Sequence, residues 1–258
     1  MASRKRGWLF RVTWPVTSYF VTNIAVGLGY LVFKIFNRLT IVGKENISHE
    51  KNTLYLSNHQ SMIDSFLIGV VAFYPKSWLK PSIIPWNPAA EENFYSNPLL
   101  GWFSDNWKCI RIKKGRKDVG AIFRMVEALK MGTMTLFPEG TRSRDGSIGK
   151  LRPGAGVLVI ESQPTVIPVC IVGMDQVLPI GTVCPRFFKK IYISFGKPVD
   201  LREFYTQGKN KEVARAIMNR VTDRLRLMKT ELEDMQRRSE LPSRVFFEDS
   251  KKYNSQKI

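Results

Sequence analysis

Residues 52–71 read NTLYLSNHQSMIDSFLIGVV. Thr53, Leu54, Tyr55 and Leu56 put β-branched, aromatic and aliphatic side chains in a short run, so 52–57 reads as a strand. From Ser61 an apolar run continues to about Val71 and reads as a helix. Between them lies a polar turn, Asn58-His59-Gln60. A strand that gives way to a helix within so few residues leaves the turn's side chains at the rim of a sheet. That rim is the usual place for ligand chemistry in open α/β folds.

The alternation continues on both sides. Residues 109–112 look like a sheet edge, and 118–130 place Val119, Ile122, Phe123, Val126 and Leu129 on one helical face that Gly132 ends. Residues 133–137, 166–172 and 191–195 read as strands, and 154–161 as a helix. The stretch 75–98 holds five prolines and reads as loop with short helical pieces. Near 210–238, apolar residues from Val213 to Met235 recur at helical spacing and mark a long amphipathic helix. Strands and helices in this order imply an α/β sheet flanked by helices. The organisation expected is an anchoring segment at 1–40, one domain at 41–240 and a flexible polar tail at 241–258.

Forty Lys and Arg against 22 Asp and Glu give a net charge of +18, a field that attracts polyanions. The basic residues are spread: Arg4-Lys5-Arg6, Lys113-Lys114, Arg116-Lys117, Arg142, Arg144, Lys189-Lys190 and the last helix. That spread suits an anionic membrane surface better than a nucleic-acid arm, and no zinc-finger or RNA-binding signature is visible. Cys109, Cys170 and Cys184 have no metal-type spacing, which points to a reducing compartment with neither a metal site nor a disulfide framework.

Residues 12–33 carry no charge and follow Arg4, Lys5, Arg6 and Arg11. Twenty-two residues can span a bilayer, but Thr13, Thr17, Ser18, Thr22 and Asn23 dilute the run, and Pro15, Gly27 and Gly29 weaken it as one straight helix. A single span, a shallow helical anchor and a core helix all remain open.

There are two histidines. His49 lies in a polar loop and reads as solvent-exposed, whereas His59 stands at the strand-to-helix junction with Asp64 five residues on. On a continuous helix, residues five apart diverge by roughly 140° and their side chains do not meet. They meet if His59 is in the turn and Asp64 in the first helical turn. Asp64 then holds one imidazole nitrogen and leaves the other to take a proton. Ser61-x-x-Asp64 also fits a capping box, with Ser61 as the cap. Spacing alone leaves both roles open.

Wider pattern narrows the choice. Asn58-His59-Gln60-Ser61-Met62-Ile63-Asp64 resembles the His-x4-Asp motif of the glycerolipid acyltransferases. Phe137-Pro138-Glu139-Gly140-Thr141-Arg142-Ser143 is similar to their second block, and Val166-Ile167-Pro168-Val169 to a third. The resemblance runs from about Val42 to Asp200 and looks most like the 1-acylglycerol-3-phosphate acyltransferase branch. It implies a glycerolphosphate-acyltransferase-like sheet and transfer of a fatty acyl group to the free hydroxyl of 1-acylglycerol 3-phosphate, making phosphatidic acid. The donor is acyl-CoA or acyl carrier protein, a co-substrate rather than a bound cofactor.

The resemblance further makes His59 the general base and Asp64 its orienter, without a covalent acyl-enzyme. It places Glu139, Gly140, Thr141 and Arg142 in the acceptor-phosphate pocket, where a guanidinium fork suits phosphate. Arg144 reads as a solvated neighbour. A further basic block falls on Lys113 and Lys114, lysines where arginine is usual, while Pro168 is expected in the wall of the pocket or acyl channel. The implied partners are a lysophospholipid acceptor, a thioester donor and an anionic membrane, with the active site on the cytoplasmic side. Another lysophospholipid, glycerol 3-phosphate or an aminolipid are the alternative acceptors. A serine hydrolase is disfavoured, because the chain has no Gly-x-Ser-x-Gly nucleophile elbow.

Overall fold

The computed structural model describes residues 7–113 and 118–240. Arg4-Lys5-Arg6, Lys114, Arg116-Lys117 and the 241–258 tail lie outside the described residues. In chain order the elements are α1 (Trp8–Tyr30), continued by a π-helical turn over Leu31–Ile35, then β1 (Arg38–Val42), β2 (Thr53–Ser57) and α2 (Asp64–Ala72). Next come α3 (Lys76–Leu79), β3 (Asn87–Ala90), α4 (Glu91–Phe94), α5 (Pro98–Asn106), β4 (Cys109–Ile112), α6 (Val119–Met131) and β5 (Thr133–Leu136). The chain finishes with α7 (Pro153–Ser162), β6 (Thr165–Val172), α8 (Met174–Val177), β7 (Lys190–Phe195), α9 (Arg202–Tyr205) and α10 (Lys211–Glu240).

Five strands form the main sheet in the order β1-β7-β6-β2-β5, parallel throughout except where β6 meets β7. A sheet covered on both faces needs apolar side chains on both, and β2 shows this residue by residue. Leu54 and Leu56 face α6, α7 and α10 with Val166 and Cys170, whereas Tyr55 faces α1 and α2 with Ile167 and Val169. The small sheet β3-β4 docks at the β5 edge, where Trp86 exchanges backbone hydrogen bonds with Thr133 and Thr135 at 2.9 Å. On the far layer α7 lies directly on α10. A Cβ on Gly156 would stand 2.2 Å from the Ala214 carbonyl oxygen, so only glycine permits that approach.

α1 runs unbroken past Pro15, and it is built inside out. Its polar residues face the protein. Thr17 Oγ1 donates to Asn106 Oδ1 at 2.6 Å, Ser18 Oγ to the Asn106 carbonyl at 2.7 Å, and Ser77 Oγ to Asn23 Oδ1 at 2.6 Å. Gly29 packs on Val70, where a Cβ would sit 3.0 Å from the valine methyl. Its apolar residues Leu9, Val12, Val16, Phe20, Ile24 and Leu28 form a stripe at helical spacing on the exposed side. Thus Thr17, Ser18 and Asn23, which dilute the apolar run, bond the helix to α5 and α3. β1 begins at Arg38 and spans residues 40 and 41, so sheet and anchoring segment share a strand at the expected boundary.

Candidate active site

The turn between β2 and α2 is pinned by its own side chains. Asn58 Nδ2 donates to the Ile171 carbonyl at 2.9 Å, and the Ile171 N–H returns to Asn58 Oδ1 at 2.8 Å. Gln60 Oε1 accepts the Met174 N–H at 3.1 Å, and Ser61 Oγ donates to the Leu178 carbonyl at 3.1 Å. These bonds tie the turn to the end of β6 and to α8. The His59 side chain takes no part in them and faces a cleft.

His59 Nδ1 lies 2.9 Å from Asp64 Oδ2. Asp64 is fully buried, while the histidine side chain is 20% exposed. The same Oδ2 accepts the backbone N–H groups of Gln60 at 2.7 Å and Ser61 at 2.8 Å. An oxygen already accepting two N–H groups acts as an acceptor toward the ring as well, so Nδ1 carries the hydrogen and Nε2 keeps its lone pair. The five-residue spacing closes because helix α2 starts at Asp64 rather than at Ser61, with residues 61–63 still in the turn. Half of the expected capping box exists: Asp64 reaches back to the Ser61 N–H, but the Ser61 hydroxyl goes to Leu178 instead of capping the helix.

The loop after β5 grips His59 from the other side. The Phe137 ring stacks on the imidazole, with centroids 4.3 Å apart and planes 21° from parallel. Glu139 Oε1 accepts the His59 N–H at 3.1 Å, its Oε2 accepts the Gly149 N–H at 3.1 Å, and the Ser143 N–H donates to the His59 carbonyl at 2.7 Å. Burial pushes the Glu139 carboxyl above its ordinary range, partly offset by the two N–H donors. Gly140 takes φ +69°, and a Cβ there would stand 2.6 Å from Arg152 Nε, which donates to the Glu139 carbonyl at 3.1 Å.

Beside His59 opens a cleft of about 1200 Å³. Gly140, Thr141, Arg142 and Lys113 line it, as the sequence leads one to expect, and so do Arg144 and Arg152. Neither Arg142 nor Arg144 has an ion pair or hydrogen bond among the described residues. Three placements differ from expectation. Glu139 is only 7% exposed and turned inward, so it braces the loop instead of facing a phosphate. Arg144 is exposed, as a solvated neighbour is, yet it also lines the cleft. Pro168 sits within β6 opposite Leu56 and away from the cleft.

Away from its arginines the cleft is apolar, walled by Phe66, Phe103, Ile112, Ile122, Met125 and Leu136. Cys109 lines it too, but desolvation lifts its thiol well above the usual range, so it offers no thiolate. Gly149 and Arg152, which hold the Glu139 loop, were singled out by neither spacing nor motif, whereas Asn58, Gln60 and Phe137, which fix the turn and cover the imidazole, fall within the two motif blocks. Together the residues provide a proton acceptor, cations for an anionic group and a dry slot for an apolar chain.

Residues 38–172 match the Acyltransferase family. A chloroplastic 1-acyl-sn-glycerol-3-phosphate acyltransferase of Arabidopsis thaliana is 29% identical over 151 residues, 57% of this chain and 39% of the relative. Tafazzin of Drosophila melanogaster is 26% identical over 251 residues, 87% of this chain and 64% of the relative. The crystal structure of PlsC, the 1-acyl-sn-glycerophosphate acyltransferase of Thermotoga maritima, shares the fold. Its TM-score is 0.61 at 22% identity, over 85% of this chain and 82% of that one. The chain spans about two fifths of the length of the plant chloroplast relatives. The family match takes in just over half of the 258 residues and holds both the His59–Asp64 pair and the Glu139–Arg142 loop. The chain therefore belongs to the Acyltransferase family, in company with the 1-acyl-sn-glycerol-3-phosphate acyltransferases.

Proposed function

We propose that this protein transfers a fatty acyl group from acyl-CoA or acyl carrier protein to the free hydroxyl of 1-acylglycerol 3-phosphate. One observation carries the reading: His59, its Nδ1 held by Asp64, lines a single cleft together with Arg142, Arg144 and a set of apolar side chains. An acceptor with a phosphate on Arg142 and Arg144 and its chain along Phe66 and Phe103 brings its hydroxyl to His59 Nε2.

In the proposed reaction His59 Nε2 takes the hydroxyl proton as the oxygen attacks the thioester carbonyl, and Asp64 stabilises the imidazolium. The tetrahedral intermediate collapses with rupture of the C–S bond, and the departing thiolate receives the proton from Nε2. Every bond made or broken belongs to the two substrates and His59. Holding both substrates at once supplies much of the rate, which is the task of the braced loop carrying Glu139.

Membrane attachment is supported by α1. Its run through Ile35 is long and apolar enough to cross a bilayer, yet Ser18 and Asn23 on its polar side are committed to α5 and α3. A helix so seated lies on the membrane with its apolar stripe in lipid and the domain beside it. The cytoplasmic side fits three free cysteines, Cys109, Cys170 and Cys184.

The test is a purified-enzyme assay of 1-acylglycerol 3-phosphate, a lysophosphodiester, glycerol 3-phosphate and an aminolipid, each with acyl-CoA and with acyl carrier protein. The lysophosphomonoester should give the highest kcat/KM, and His59→Ala should abolish turnover. A higher kcat/KM on any other acceptor overturns the assignment.

A further inference from the structure

The loop between α8 and β7, residues 178–189, folds back on itself. The Arg186 N–H donates to the Val177 carbonyl at 2.7 Å, and the Thr182 hydroxyl to the Pro179 carbonyl at 2.8 Å. So ordered a loop could have hidden its apolar side chains. It does the reverse: Val183 is 88% and Phe188 84% exposed, with Phe187 open beside them. Phe188 is moreover held at φ +61°, a conformation rare for an aromatic residue, by its N–H bond to the Phe36 carbonyl at 2.8 Å. Backbone cost accepted in order to show a phenylalanine to solvent calls for a function.

Two neighbours indicate which. At one end the loop meets the foot of α1: the Phe187 and Phe36 rings lie 5.1 Å apart, and Ile35 and Phe36 continue the exposed stripe of that helix. At the other end Ile180 lines the cleft that holds His59, and Leu178 accepts the Ser61 hydroxyl of the catalytic turn. Lys34 next to Ile35, Arg38 two residues after Phe36 and Arg186 next to Phe187 are exposed and without a carboxylate partner among the described residues. Scattered exposed hydrophobes need no explanation, but several on adjoining segments with cations beside them in the chain do.

We propose that the 178–189 loop is a second membrane contact, dipping Val183, Phe187 and Phe188 into a bilayer whose anionic headgroups meet Lys34, Arg38 and Arg186. This rests on the reading of α1 as lipid-facing. Its consequence is that the mouth of the cleft at Ile180 opens onto lipid, so an acceptor chain passes from bilayer to cleft without crossing water.

The experiment uses the full-length protein with an environment-sensitive fluorophore on exposed Cys184, Cys184→Ser giving the background. A second reporter is Leu9→Cys in the Cys184→Ser protein. On phosphatidylcholine–phosphatidylglycerol vesicles the Cys184 probe should shift to the blue and be quenched by spin-labelled lipid. The combined variant Val183→Ser, Phe187→Ser, Phe188→Ser should lose about tenfold or more in kcat/KM on vesicle-borne acceptor, the scale of one large apolar side chain no longer reaching lipid. On a monodisperse short-chain acceptor it should match wild type. A Cys184 probe that stays in water while the Leu9→Cys probe responds overturns the loop contact and leaves α1 standing, and silence from both overturns the two together. A Cys184 response to protein concentration without vesicles makes the loop a contact between copies and overturns the proposal. Probes that respond in a protein inactive on every acceptor support the loop contact and remove the acyltransfer reading instead.

Discussion

Glu139 holds His59 by its backbone: Oε1 accepts the histidine N–H at 3.1 Å, while Oε2 accepts the N–H of Gly149 ten residues further along the chain. One carboxylate thereby fastens the turn that holds His59 to both sides of the loop that carries Arg142. Its work is done from behind the cleft.

Glu139→Ala should therefore lower kcat and leave the acceptor KM nearly unchanged. Two part-buried N–H donors lose their partner, at up to about 1–3 kcal/mol each, so denaturant unfolding should show a loss of at most roughly 2–6 kcal/mol. A raised acceptor KM with normal kcat would return Glu139 to the phosphate pocket.

The same residue gives a pH signature. Burial raises its carboxyl in the native state, so across that window the native state binds more protons than the unfolded one. The Glu139 contribution to stability then falls as pH climbs from the usual glutamate value of 4.5 and levels off above the raised native value. Glu139→Gln removes this slope. Unfolding free energies of the two proteins should diverge in the variant's favour as pH rises through that window, and parallel curves would contradict the assignment.

Asp64→Asn preserves an oxygen for the Gln60 and Ser61 N–H groups but removes the charge facing Nδ1. Turnover should drop about 10²–10⁴-fold, approaching His59→Ala, with the thermal transition still cooperative. Near-normal kcat in Asp64→Asn would reduce the residue to a structural support for the turn.

Arg142→Ala and Arg144→Ala should each raise the KM for a phosphomonoester acceptor roughly ten- to a hundredfold, since a charge-assisted bond is worth about 1.5–3 kcal/mol. Arg142→Lys should recover part of the loss, because a point charge lacks the planar fork. Arg215→Ala, on the exposed side of α10, is the control. If the donor KM rises instead, the phosphate held here is that of the coenzyme.

Replacing Val16, Phe20 and Ile24 together by serine should leave the fold intact, since all three project away from the protein. Binding to vesicles should weaken, and what remains should fall further with added salt, as a screened basic surface requires. Removing the whole helix is a poorer test, because it would bare the α2 surface around Gly69 and Val70. Undiminished, salt-resistant binding of the serine variant would place the anchor elsewhere.

Strand and helix positions near His59 were legible because β2 and β6 are largely apolar runs and β5 and β7 alternate, all bounded by turns. β1, β3 and α5 were not. Arg38–Val42 is short and joins the apolar segment before it, Asn87–Ala90 carries a proline, and Pro98–Asn106 looks like loop until Asn97 is seen accepting the Leu100 N–H as its cap. The pairing of His59 with Asp64 was readable from motif and turn chemistry together. The orientation of Glu139 was not, since a carboxylate beside Gly140 and Arg142 looks the same in sequence whether it faces ligand or backbone. Ser18 and Asn23 likewise look like flaws in an apolar segment until their partners at Asn106 and Ser77, some ninety and fifty positions away, come into contact.

That separation bears on how the molecule is made. α1 precedes its seat in the chain, for the groups that receive its polar side span Ser77 to Asn106. During synthesis the helix has an oily side ready for the membrane surface and a hydroxyl-rich side with nothing yet to bind. On the proposed membrane seat, a helix that plunged through the bilayer would be parted from Asn106 and Ser77, so the segment would have to stay at the surface until the rest of its cradle is made. Attachment and folding would then be a single event, completed at the bilayer and not before it.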